Sequence, residues 1–165
     1  TYSDSGRDAV DKTVYNKAIT DKKFVVGICR GAQITNVLNG GKLWQDVSNH
    51  ANGQHHPMYD VETGRKIMVS SLHHQECILT KEAVLLGYAH TAIRKQSERV
   101  TWMRSMNPGA QDVEAFWYPK TFTLGFQPHP EVSPWNSEGR NIFFEYVDRF
   151  WKERETTLKV MAGAV

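Results

Sequence analysis

Apolar residues recur along this chain at two different periods. Residues 5–20 carry Val10, Val14, Ala18 and Ile19 at helical spacing, which predicts a first helix with those four on one face. Phe24-Val25-Val26-Gly27-Ile28 is a short β-branched run bounded by Lys22 and Lys23, the pattern of a buried parallel strand. Helical spacing resumes through Ile34, Val37 and Leu38 and stops at Asn39-Gly40-Gly41. Residues 48–57 are polar and turn-like, while 59–61 and 67–71 read as strands joined at Gly64. Further short strands follow near Ile78 and Leu79, over 85–90, over 113–116 and over 121–127. From Glu138 onward, Ile142, Phe143, Tyr146, Val147, Phe150 and Trp151 form a wide apolar stripe, which predicts a final helix seated on the core. Buried strands mixed with amphipathic helices predict an α/β fold, an open, mostly parallel sheet flanked by helices, with its site at strand carboxyl ends.

The chemistry enters at Cys29. A strand that ends in Gly27-Ile28-Cys29-Arg30-Gly31 and turns straight into a helix has the layout of a nucleophile elbow. Glycines on both sides let the turn be tight. The helix N-terminus brings orphan N–H groups beside the sulfur and is expected to favour thiolate. About a hundred residues on, the predicted strand over 121–127 runs into Pro128-His129-Pro130-Glu131. Prolines on both sides of His129 hold the backbone extended, so His129 and Glu131, two apart, leave on the same side. Glu131 can then hold one imidazole nitrogen while the other faces a nucleophile. A buried structural cysteine and an incidental surface histidine are the plainer readings of each motif alone; the two motifs together favour a Cys-His-Glu triad.

The residues Gly27-Ile28-Cys29-Arg30-Gly31-Ala32-Gln33, Asn36-Val37 and Gly40-Gly41-Lys42-Leu43-Trp44-Gln45-Asp46 resemble the class I glutamine amidotransferase superfamily. The resemblance is nearest to its gamma-glutamyl-gamma-aminobutyrate hydrolase type, peptidase family C26. Ser70-Ser71-Leu72-His73-His74-Gln75, Val113-Glu114-Ala115-Phe116 and Gly125-Phe126-Gln127-Pro128-His129-Pro130-Glu131 continue it in the same order. Pro128 stands where the family usually carries an aromatic residue, a departure expected to stiffen or slightly displace His129.

This resemblance implies a flavodoxin-like fold and a cysteine-dependent hydrolase that cleaves the γ-glutamyl amide of a small metabolite through a γ-glutamyl thioester. It implies Cys29, His129 and Glu131 as the triad, the N–H of Arg30 as an oxyanion donor, and Arg30's guanidinium as an anchor of the elbow. His73, His74 and Gln75 would face the glutamate part of the substrate; Gln33 either reaches the ligand or is a plain helix residue. It also implies that residues 1–165 form a single domain equivalent to the C-terminal two-thirds of the family domain. Roughly seventy residues would precede the nucleophile strand, enough for two βα units and a strand, ending in a loop that supplies a second oxyanion N–H.

Composition changes this picture little. The chain has 165 residues, 40% of them hydrophobic, and a net charge of +2 with both signs interspersed, which offers no argument for a nucleic-acid or membrane partner. No apolar run approaches membrane-spanning length, and no signal peptide is visible. Two cysteines, one of them a candidate nucleophile, suggest reduced thiols and a cytoplasmic setting. Seven histidines are present, three of them at His50, His55 and His56, but the spacing matches no standard zinc pattern. No metal or other cofactor is expected, and these histidines are placed at the mouth of the pocket or on the surface. A glutaminase subunit that feeds ammonia to a larger partner and a non-catalytic descendant of the fold remain as alternatives, and a homo-oligomer is also compatible with the sequence.

Overall fold

The computed structural model describes residues 5–48, 50–51, 53, 55–90, 93–95 and 111–163. Its centre is a six-stranded sheet in the order β1 (Val25–Ile28), β10 (Thr123–Phe126), β9 (Asp112–Tyr118), β7 (Val84–Ala89), β4 (His55–Asp60), β5 (Lys66–Ser70). Two small antiparallel ribbons accompany it: β2 (Lys42–Trp44) with β6 (Glu76–Ile78), and β3 (Asp46–Ser48) with β8 (Ile93–Lys95). Helix α1 (Ser5–Thr20) packs on α2 (Arg30–Leu38), and α3 (Glu138–Met161) lies across β5 and β10.

The α/β architecture matches the sequence expectation, but the sheet is mixed. Among the described residues of this sheet, only β1 and β10 run parallel; the other four pairings are antiparallel. Local turns explain two of these four pairings. A 3-10 turn at Pro119–Thr121 and Phe122 in the left-handed region fold β9 straight back into β10. Gly64, with φ of 70°, does the same between β4 and β5. Parallel character is therefore confined to the pair that carries the candidate chemistry.

The sheet buries apolar side chains on both faces. Ala115, Trp117, Leu124 and Phe126 pack with Ile142, Phe143, Tyr146 and Phe150 of α3. On the other face, Phe116 and Tyr118 pack with Ala32 of α2 and Cys77. The fit is close: a Cβ on Gly125 would stand 2.0 Å from the Phe116 ring. The α3 stripe is core as expected, except that Trp151 is half exposed.

Helix α1 turns differently from its expected face. Val10 and Val14 are 61% and 64% exposed, and the buried residue is Tyr15, whose hydroxyl hydrogen-bonds Thr123 Oγ1 at 2.9 Å and accepts from Asn39 Nδ2 at 2.7 Å. A polar tether, supplemented by ion pairs from Arg30 to Asp8 and Asp11, outweighs the valines in setting the helix's rotation. The motif Asn36…Gly40-Gly41 is architectural. Fully buried Asn36 donates to the carbonyls of Lys42 and Ile78 at 2.9 and 3.3 Å and accepts from Tyr118 at 2.8 Å. A Cβ on Gly41 would collide with it.

Candidate active site

Cys29 is the N-cap of α2 and has φ 49° and ψ −109°. A positive φ is unfavourable for a residue with a Cβ and persists only where the surroundings enforce it. Here they do. The Cys29 N–H donates to the Phe126 carbonyl at 2.9 Å, its own carbonyl accepts from the Gln33 N–H at 3.0 Å, and Gly27 lets β1 and α2 approach. A Cβ on Gly27 would come within 2.5 Å of the Gly31 carbonyl oxygen. Gly31 is not sterically required in the same way, since a Cβ there meets nothing within 4 Å.

The sulfur's electrostatics differ from the expectation. Burial pushes the Cys29 thiol up; the Arg30 N–H, directed at the sulfur, offsets part of this, and Glu131 and Glu114 add to the rise. A thiol raised in this way calls for a base. Arg30's guanidinium is taken up by Asp8 and Asp11, which joins the elbow to α1.

His129 follows β10, the parallel neighbour of β1, so both motifs emerge at one carboxyl edge of the sheet. Its Nδ1 lies 2.6 Å from Glu131 Oε1. This contact is not made by an extended strand; residues Pro130–Val132 form a 3-10 turn that brings the carboxylate back under the ring. Burial raises the Glu131 carboxyl, but the hydrogen bond and charge of His129 together with a backbone hydrogen bond outweigh it and hold the carboxyl below its ordinary range. Pro128 leaves the backbone well anchored: the His129 N–H donates to Ser70 Oγ at 2.7 Å, at the end of β5. Ser70 was legible only as part of a motif, without this role.

A cleft of about 630 Å³ opens beside Cys29. Arg30, Gln33, His73, His74 and Gln75 all border it. Its volume suits a small metabolite. Gln33 is buried and spans the floor, donating to the Gln75 carbonyl at 3.1 Å and approaching Gln127 Oε1 at 3.4 Å. His74 is exposed, and Gln75 Nε2 donates to Gln45 Oε1 at 2.5 Å. His129 and Glu131 lie outside the lining of this cleft.

The histidine expectation needs correction. His55 is exposed, but His50 and His56 are buried, as is His73. Glu114 of β9 gathers them: its Oε1 lies 3.1 Å from His50 Nε2, 2.8 Å from His56 Nε2 and 3.8 Å from His73 Nε2. The carboxyl is fully buried, yet hydrogen bonds from His50 and His56 overcome burial and hold it down to about 2. Burial lowers His73 to about 4. His50 is raised, because the Glu114 bond and the nearby carboxylates outweigh its burial. A charged residue inside the apolar run over 113–116 was the available sign of such a cluster. Ligand atoms of His50, His73 and Glu114 all lie within 4.8 Å of one another.

The Peptidase C26 family model matches residues 1–131. The chain belongs to that family. It is 26% identical over 138 residues to a glutamine amidotransferase-like protein, YvdE, of Lactococcus lactis, covering 82% of this chain and 57% of that one. It is 26% identical to the carbamoyl phosphate synthase small chain of Solidesulfovibrio magneticus over 78% of this chain and 30% of that protein. The crystal structure of a glutamine amidotransferase from Thermotoga maritima superposes with a TM-score of 0.56 at 14% identity, over 90% of this chain and 56% of that one, a likeness of fold. The chain thus spans about half or less of these relatives' length. No helix among the described residues is long and apolar enough to cross a membrane.

Proposed function

We propose that residues 1–165 form one domain bearing the catalytic thiol of an enzyme that hydrolyses the γ-glutamyl amide bond of a small metabolite. The observation that supports this most is the strained elbow at Cys29, set at the same sheet edge as the His129–Glu131 pair. His129 takes the proton of the resting thiol. The sulfur then attacks the γ-carbonyl, a C–S bond forms, and the carbonyl electron pair moves to oxygen, where the Arg30 N–H donates a hydrogen bond. Collapse of this adduct expels the amine, protonated by His129, and leaves a γ-glutamyl thioester. A water that gives its proton to His129 attacks the thioester, releasing glutamate and the Cys29 thiol.

Glu131 orients the imidazole throughout. Gln33, His73, His74 and Gln75 would recognise the glutamate part in the cleft. Free Cys29 and Cys77 suit a reducing compartment, for which we take the cytoplasm.

A second reading, a glutaminase that passes ammonia to a larger partner, is favoured by the similarity to carbamoyl phosphate synthase small chains. The two readings share the thioester and differ in the amine released. Acid quenching during turnover of a panel of γ-glutamyl amides and glutamine, followed by mass mapping, tests both. A γ-glutamyl adduct on Cys29 with several amides supports the hydrolase, and an adduct with glutamine alone supports the glutaminase. No adduct with any of them, in a folded sample, would leave only a non-catalytic role for the fold.

A further inference from the structure

The cluster behind the cleft offers more acceptors than donors. His73 Nδ1 lies 2.9 Å from the Gln75 carbonyl oxygen. A carbonyl only accepts, so Nδ1 carries a proton, and in the neutral ring that burial favours, Nε2 presents its lone pair. That lone pair faces Glu114 Oε1 at 3.8 Å, and it has no hydrogen-bond partner among the described residues. Glu114 Oε2 also has none there. His73 is 2% exposed and Glu114 fully buried, so bulk water does not supply the missing donors. An imidazole lone pair and a carboxylate turned toward each other in a dry interior are unfavourable unless a cation lies between them.

The arrangement of His73 is that of a ligand histidine, which donates its remote N–H to a backbone carbonyl and so fixes the tautomer. A tetrahedral zinc-type site with bonds of about 2.0–2.1 Å has ligand–ligand edges of about 3.3–3.4 Å. The distances from Glu114 Oε1 to His50 and His73, 3.1 and 3.8 Å, bracket that value. Among the described residues, the ion-pair partners of Glu114 are all histidines, and Asp112 adds a second carboxylate 3.9 Å from His50. Two imidazoles and a carboxylate suit zinc and its neighbours rather than magnesium or calcium.

We propose that His50, His73 and Glu114 bind a divalent transition-metal ion of the zinc class, with His56 orienting the carboxylate. His73 also borders the cleft. The site is separate from the triad, and its metal affinity does not depend on whether Cys29 hydrolyses an amide.

Cobalt(II) titration of tag-free, chelator-stripped full-length protein tests this, with zinc added afterwards as competitor. We expect one cobalt per chain, visible d–d absorption, displacement by zinc, and the same behaviour in Cys29→Ser. The double variant His50→Gln/His73→Gln should lose affinity by about 100-fold or more. A wild type that binds no cobalt, binding lost in Cys29→Ser, or binding kept by the folded double variant would overturn the site. Should the double variant fail to fold, X-ray absorption of the zinc-loaded wild type decides. Nitrogen and oxygen scatterers at about 2.0–2.1 Å with imidazole shells support the proposal; sulfur at about 2.3 Å contradicts it.

Discussion

His129 and Glu131 meet at 2.6 Å with 24% and 57% of their side chains exposed, whereas Glu114 meets His56 at 2.8 Å and His50 at 3.1 Å with none of its carboxylate exposed. The residue types are the same, and the dielectric surroundings are not. Near water, both protonation states of an imidazole are accessible at modest cost, which is what proton transfer requires. In the interior, a carboxylate must keep its partners permanently, since removing one leaves a charge that nothing screens. In the proposed mechanism the first pair exchanges protons with the substrate, while the second is a fixed charge that holds β9, β4 and the segment carrying His73 together.

Substitutions that separate activity from stability would break or sharpen this contrast. The largest effect is expected from His129→Ala, which should lower the turnover of a γ-glutamyl amide by about 10²–10⁴-fold while leaving the melting curve nearly unchanged. Next is Glu114→Gln, which should destabilise the fold by about 3–5 kcal/mol in denaturant titrations, because it strips a buried histidine network of the carboxylate that His50 and His56 share. Glu131→Gln should reduce turnover by only about 10–100-fold, since water can partly replace an exposed orienting group, and should shift stability by less than about 0.5 kcal/mol. A large loss of stability in Glu131→Gln, or none in Glu114→Gln, would reverse the assignment of the two pairs.

A smaller effect concerns pH. Burial alone would raise Asp60, but hydrogen bonds from Thr63 and Tyr146 outweigh it and hold the carboxyl below its ordinary value. A folded-state value below the unfolded one means that the stabilisation is complete above about pH 4 and is lost as pH falls through the lower folded value. Asp60→Asn should therefore flatten part of the decline in denaturation midpoint between neutral and acidic pH. An unchanged slope would show that Asp60 contributes little.

Much of this molecule was legible from its sequence because local rules govern the parts concerned. Helix α1 and the start of α3 fall where spacing placed them, and the strand–Cys29–helix switch is a local pattern enforced by Gly27. What sequence could not supply outside α3 is the side of an element that meets the core. Val10 and Val14 scored as an inner face, but a single tyrosine tether turned α1 the other way. Likewise His50 and His56 lie in a polar, turn-like stretch and read as surface, and only the tertiary approach of Glu114 from β9 buries them. The sheet's mixed pairing followed from tight turns at Phe122 and Gly64, whose effect on strand direction periodicity does not encode.

The central claim is that the elbow makes Cys29 the reactive thiol, and Cys77 is the internal control. Burial pushes both thiols up, but Cys77 is fully enclosed and raised well above its ordinary value, while Cys29 borders the cleft. The most direct measurement is the rate of alkylation at each cysteine by iodoacetamide, read by peptide mapping in native buffer. The account predicts that Cys29 is modified at least about 100-fold faster, with Cys77 reacting only on unfolding, and that His129→Ala slows Cys29 selectively. Equal rates at the two cysteines, or faster modification of Cys77, would contradict it.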